Sequence, residues 1–200
     1  MDHLPGDTNE YYAKSFVGLK LSAITIAENE FEDCEFDQCD FSRSNLARCK
    51  FIDCRFTGCD LSLINIEASH FRGVEFVDCK VAGVNWTKAH WPRLVLAPPL
   101  HFRKCVIDDS SFFGLSLAEV VIEECKAREV DLREANFSGA RFSYSDLTNS
   151  LFGRTSLRGA DFTEATGYNI DIFNNDITNA RFSRYEALRL LDSLSIDLVD

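Results

Sequence analysis

No run of apolar residues in this 200-residue chain approaches the ~18 needed to span a bilayer. The opening segment, Met1 to Glu10, is acidic and polar and lacks the apolar stretch of a secretion signal. A cytoplasmic protein with no membrane association is therefore expected. Histidine is scarce, and His3, His70, His90 and His101 are too scattered to gather around one metal ion. There is no glycine-rich phosphate loop, no GxSxG turn and no CxxC pair. No enzymatic activity, cofactor or small-molecule substrate is expected. Positive charge is also short: 21 Lys and Arg face 32 Asp and Glu, a net charge of −11. That balance disfavours direct contact with nucleic acid and suits a basic groove on a partner.

Eight cysteines are present, and their positions decide their meaning. Cys34, Cys39, Cys49, Cys54, Cys59, Cys79, Cys105 and Cys125 are separated by multiples of five, with one extra residue between Cys79 and Cys105. Metal ligands and disulfide partners must converge, whereas a five-residue recurrence spreads them along an array. They are expected to be reduced, buried and hydrophobic in role.

The same period governs the apolar residues. Stepping by five from Tyr11 meets Phe16, Leu21, Ile26, Phe31 and so on to Trp86, Trp91 and Leu96, without a polar residue. After a slip of one the series resumes at Phe102 and continues to Phe162, then Gly167, Ile172, Ile177 and Phe182. Both Trp and every Phe except Phe113 and Phe173 fall at these centres. Two residues before each centre comes a small residue, such as Cys39, Ser44, Ala135 or Thr155, also predicted to point inward. Helices need an apolar period near 3.6 and flat strands one of 2, so the chain must turn a corner every five residues.

A longer period sets the number of corners. From Tyr11 to Trp86 the centres run aromatic, aromatic, then usually aliphatic, aliphatic, and the pattern repeats after twenty residues. Four sides of five residues thus close one coil, with like residues stacked ~4.8 Å apart on successive coils. Phe31, Phe51 and Phe71 form one such column, and Asn45, Asn65 and Asn85 another facing outward. The predicted fold is an all-β quadrilateral β-helix.

Three segments follow: an N-terminal piece over 1–10, a repeat body over 11–182 interrupted at about 87–101, and a C-terminal piece over 183–200. The interruption carries Pro92, Pro98 and Pro99, which cannot all occupy a central ladder. It reads either as a tolerated bulge or as a projecting functional loop around Trp91 to Leu100. A second weak point is Gly167–Tyr168, where the centre is missing and the core should thin. In the last segment Ser183 and Glu186 have capping-box spacing, and Leu188, Leu191 and Leu194 share a face of a predicted capping helix, with Leu190 alongside. Ile196-Asp197-Leu198 then alternates like a short strand. Leu188, Leu191, Leu194, Ile196 and Leu198 are the predicted dimerisation residues, because a two-fold joint closes an otherwise open end.

The segments CDFSRSNLARCKF, ANFSGARFSYSDLTNSLF and SLRGADFTEA resemble the A(D/N)LXX consensus of the pentapeptide-repeat family, over roughly residues 11 to 182. The ending ARFSRYEALRLLDSLSIDLVD and the VNWTKAHWP interruption resemble the gyrase-protecting branch of that family, most of all its albicidin-resistance members. The resemblance implies a right-handed coil, a C-terminally joined homodimer, and a DNA-mimicking surface that binds DNA gyrase and shields it from a poison. On that reading Trp91, Pro92, Pro98, Pro99, Asp109, Glu119, Glu124, Glu129 and Glu134 are candidate gyrase-facing residues. A solvated scaffold with an unrelated protein partner is the alternative.

Overall fold

A computed structural model describes residues 9–92, 98–194 and 196. The chain winds into a four-sided β-solenoid of about eight turns. On the first side, Glu10–Tyr12, Glu30–Glu32, Lys50–Ile52 and His70–Arg72 form a parallel four-stranded sheet. On the second, Ser15–Val17, Glu35–Asp37, Arg55–Thr57, Val74–Val77, Leu100–Arg103 and Val121–Glu123 form a parallel six-stranded one. The third and fourth sides are held by single bridges such as Asp40↔Asp60 and Asn45↔Asn65. The register of twenty follows from identical side chains stacking best on their own kind.

Each pentad has one job per position. The centre points inward: Phe51, 1% exposed, lies between Phe31 and Phe71 with ring centroids 5.1 and 5.4 Å away and rings nearly parallel. The residue two after the centre turns the corner in the left-handed region, as at Asp33 (φ 52°), Arg48 (φ 57°) and Glu129 (φ 57°). Such a conformation costs a non-glycine residue about 1 kcal/mol. The neighbouring coil offsets it, because each corner N–H donates to a carbonyl of the next turn, Arg48 to Glu67 at 2.8 Å and Glu129 to Thr148 at 3.0 Å.

The residue before the centre is often Asp or Asn for a local reason. Its side chain accepts from the amide two residues on: Asp60 from Ser62, Asn65 from Glu67, Asp146 from Thr148, Asp161 from Thr163. This is the Asx turn, which lets a short polar side chain stand in for a backbone bond at a bend. Four such carboxyls are held below the usual carboxylate range: Asp40 chiefly by the Ser42 hydroxyl, Asp131 by the Arg133 guanidinium, Asp161, against its partial burial, by Thr163, and Asp176, at about 2, by Thr178. Groups with depressed folded values stabilise the fold above their unfolded value near ~4 and lose that contribution as pH falls. Melting temperature is thus expected to hold from neutrality to about pH 5 and to fall between about pH 4 and 2. A flat profile down to about pH 2 would contradict this role.

The small inward residues are hydrogen-bonded as well as packed. Ser69 donates to the Leu46 carbonyl and accepts from the Cys49 amide, and Ser145 and Ser150 repeat the arrangement further along. Cysteine does the same with sulfur: the amide of Cys39 meets Cys59 Sγ, Cys59 meets Cys79, and Cys105 meets Cys125. All eight cysteines are free and buried. Burial pushes the Cys54 thiol up to about 12, a value at which it carries almost no thiolate and little reactivity.

Two departures from the expected frame matter. Across the interruption the register widens from twenty to twenty-six: Phe76 stacks on Phe102, Lys80 bridges Val106 and Asn85 bridges Ser111. The insertion is thus a whole pentad plus one residue, which a slip of one in the series conceals. Leu96, read as a centre, lies outside the described residues, and Phe102 takes the place above Phe76. Near the end, Gly167 turns in the left-handed region (φ 73°) and is not a centre. Tyr168 and Ile170, at 0% and 1% exposure, fill the core there, while Ile172 is only half-buried.

Candidate interaction surface

The five predicted acidic contacts occupy one structural position. Asp109, Glu119, Glu124, Glu129 and Glu134 are all left-handed corner residues (φ 58, 61, 54, 57 and 60°), and all are exposed. A corner side chain is thrown outward by the turn, so this position displays charge. The five do not share one edge. Asp109 and Glu129 stack on the third corner, whereas Glu119, Glu124 and Glu134 belong to the first, second and fourth.

Pairing across coils was invisible from the pentad pattern because it acts over the twenty-residue register. Glu28 meets Arg48 at 2.6 Å, Glu30 meets Lys50 at 2.7 Å, and Arg55 meets Glu75 at 3.3 Å. Two of the candidates are paired as well, Glu124 with Lys104 at 3.9 Å and Glu134 with Arg154. All the ion pairs except Arg133–Asp131 and Arg189–Glu186 join neighbouring turns. Each exposed pair contributes only ~0–1 kcal/mol, but together they replace same-sign columns by alternating ones. Among the described residues Glu32, Asp33, Glu35 and Asp37 on the second turn, and Asp109, Glu119 and Glu129 further along, keep carboxylates without an ion-pair partner.

Beside the interruption the ladder is broken on the first side, and among the described residues the fourth side also lacks a bridge between Asn65 and Asn85. Trp91 keeps its place on the first side, half-buried, its ring 6.2 Å from Phe71 and its indole N–H donating to the Trp86 carbonyl at 2.9 Å. Pro92 is exposed and Pro98 half-buried; Pro99 is buried, and its carbonyl accepts from Val74 at 3.0 Å, which asks no donor of the proline. Residues 93–97 lie outside the description. On the first side the ladder stops at His70↔His90 and restarts at Ser116↔Asn136.

The C-terminal cap differs from its expected form. Glu186–Leu194 is a 3-10 helix, not an α-helix, with no fully buried residue. The predicted capping box is not made: the Ser183 hydroxyl donates to Glu164 and accepts from its amide, and Glu186 accepts from Gly167 and Arg189. Those neighbours on the last coil are better placed for both side chains than the helix's own amides. With three residues per turn, Leu188, Leu191 and Leu194 align in one straight row. Leu190, from a different row, is the one that packs on the core. Leu188 is 52% exposed and Leu191 and Leu194 are half-buried. Ile196 is exposed, and Leu198 lies outside the described residues.

Among the described residues no group of three His, Cys, Asp or Glu could hold a metal ion, and no helix is long and apolar enough to cross a membrane. Residues 29–98 match the description of a pentapeptide repeat region, and residues 116–154 that of pentapeptide repeats in eight copies. No curated protein sequence matches the chain. Among solved structures, trypsin-treated QnrB1, a plasmid-mediated fluoroquinolone resistance protein, superposes with a TM-score of 0.63 at 20% identity, covering 96% of this chain and 92% of that one. HetL, a pentapeptide repeat protein involved in heterocyst differentiation regulation in the cyanobacterium Nostoc sp. strain PCC 7120, superposes with a TM-score of 0.59 at 12% identity over 85% of each chain. At such identities the likeness establishes the coil and leaves partners to be argued from the surface.

Proposed function

This chain is a pentapeptide-repeat protein, and on that premise we propose that it binds bacterial DNA gyrase in the cytoplasm as a DNA-mimicking homodimer and protects the enzyme from a topoisomerase poison. The observation that carries the reading is the straight row of Leu188, Leu191 and Leu194, exposed or half-buried and outside the core cluster at the end of a rod. Such a row suits a two-fold joint with a second copy, which doubles the rod's length. Contacts to the enzyme are assigned to the unpaired corner carboxylates, Asp109, Glu119 and Glu129, and to the Trp91 to Leu100 loop. Glu124 and Glu134 would join them only by exchanging Lys104 and Arg154 for cations of the enzyme. The resemblance of the ending and the interruption to albicidin-resistance members names one poison to try.

Alternating charge across coils favours a second reading, an interaction scaffold for an unrelated partner, and HetL, a like coil involved in heterocyst differentiation regulation, supports it. Gyrase supercoiling assays separate the two. With albicidin or a quinolone present, added protein is expected to restore supercoiling. If it neither restores activity nor co-sediments with gyrase, the gyrase reading fails and the scaffold stands.

A further inference from the structure

The solenoid is filled by its own side chains through most of its length, as its composition leads one to expect, but not at the Gly167 break. On the fourth side the ladder ends at Asp131↔Leu151. A Cβ on Gly167 would lie 2.4 Å from Thr148 Oγ1, so only glycine lets the chain turn this tightly against the preceding coil. Tyr168 then dives into the core and the following residues swing away from Leu151 and Phe152. Among the described residues no hydrogen bond reaches the Phe152 amide. Phe152 itself is half-buried, whereas Phe112 and Leu132 below it in the same column are fully buried.

The result is a cleft of about 610 Å³, within the size range of small-molecule sites. Leu151 and Phe152 give it an apolar floor, Arg133 stands on one side, and Arg189 and Asp192 reach in from the C-terminal helix. The guanidinium of Arg133 is already engaged by Asp131 through Nε and one Nη, at 2.9 and 2.8 Å. That of Arg189 meets Glu186 through Nε alone, at 2.8 Å, leaving its two Nη groups without a partner among the described residues. The Tyr168 hydroxyl, from a side chain at 0% exposure, is also buried without a partner.

We propose that this cleft is a binding site for a small planar aromatic carboxylate. A carboxylate matches the free Nη edge of Arg189, since two parallel charge-assisted hydrogen bonds are the strongest a guanidinium makes. An aromatic ring covers Phe152 and Leu151, and an acceptor on it takes the Phe152 N–H that nothing else satisfies. Asp192 repels a second negative charge and so selects monoanions over dianions. The proposal does not depend on gyrase binding: the cleft borders the third corner at Asn149, but none of Asp109, Glu119 and Glu129 and no residue of the loop lines it.

Titration calorimetry with 2-naphthoate, with 2-naphthylmethanol as the neutral analogue, tests it on the full-length protein. One naphthoate per chain is expected, with a dissociation constant below about 1 mM, and the alcohol at least about tenfold weaker. Arg189→Gln and Leu151→Asn, both at exposed positions, are each expected to weaken naphthoate about tenfold with melting temperature unchanged. Arg48→Gln, an exposed cation far along the rod, serves as the control and should change nothing. Absence of one-to-one binding, or binding indifferent to both cleft substitutions, overturns the proposal.

Discussion

Placing a charge in the leucine row, as Leu191→Glu, should convert a dimer to a monomer by sedimentation and abolish gyrase protection at the same time. The 3-10 spacing puts Leu191 midway between Leu188 and Leu194, so one carboxylate falls at the centre of the cap's apolar row that lies outside the core cluster. Burying an unpaired carboxylate in an apolar joint costs several kcal/mol, equivalent to a loss of at least about a hundredfold in association. The monomer's own fold should survive, because no residue of that helix is fully buried. On the proposed reading, rod length couples assembly to function. About eight turns at ~4.8 Å give ~40 Å, and two copies give ~80 Å, the length of about two dozen base pairs at ~3.4 Å each. A monomeric variant that still protects fully would rule out mimicry by a long rod and move the contact to the Trp91 to Leu100 loop.

Phe51→Ala should destabilise the protein by about 3–5 kcal/mol, and Lys50→Ala by no more than about 0.5. The two neighbours differ only in direction. Phe51 loses two stacked rings, Phe31 and Phe71, and an edge contact with Phe56 at 5.7 Å, and the rigid coil cannot collapse into the space. Lys50 loses an exposed pair with Glu30, whose two members remain solvated. Denaturant melts of both variants provide the measurement. Equal losses would mean that the inward frame is misassigned.

How far the sequence predicts the structure depends on range. Period five sets the inward frame, and period twenty sets the four sides, because both are carried by large apolar residues that have only one place to go. The Tyr11, Phe31, Phe51, Phe71 column and the eight buried thiols follow from that alone. The frame failed where glycine removes the large residue: at Gly167 the nearest bulky side chain, Tyr168, entered the core in its place and opened the cleft beside Phe152. The size of the interruption was hidden because an inserted pentad preserves the five-residue count and only Phe102's offset shows. Charge was the least legible property. Glu124 and Glu134 read as free carboxylates in a linear chain, and only the coil register brings Lys104 and Arg154 beside them. The unmade capping box likewise rests on contacts with Glu164 and Gly167, which no local pattern announces.

The broken ladder on the first side also has a mechanical meaning. Across the insertion the second, third and fourth sides remain stitched at Phe76↔Phe102, Lys80↔Val106 and Asn85↔Ser111, while the first has no rung between His90 and Ser116 among the described residues. The adjacent fourth side lacks one between Asn65 and Asn85 as well. A tube with rungs missing on two adjacent walls resists stretching almost as before but bends more easily toward or away from the corner they share. Stiff stacks on either side are thus joined by a compliant seam, and the preferred bending plane runs through that corner, beside Trp91.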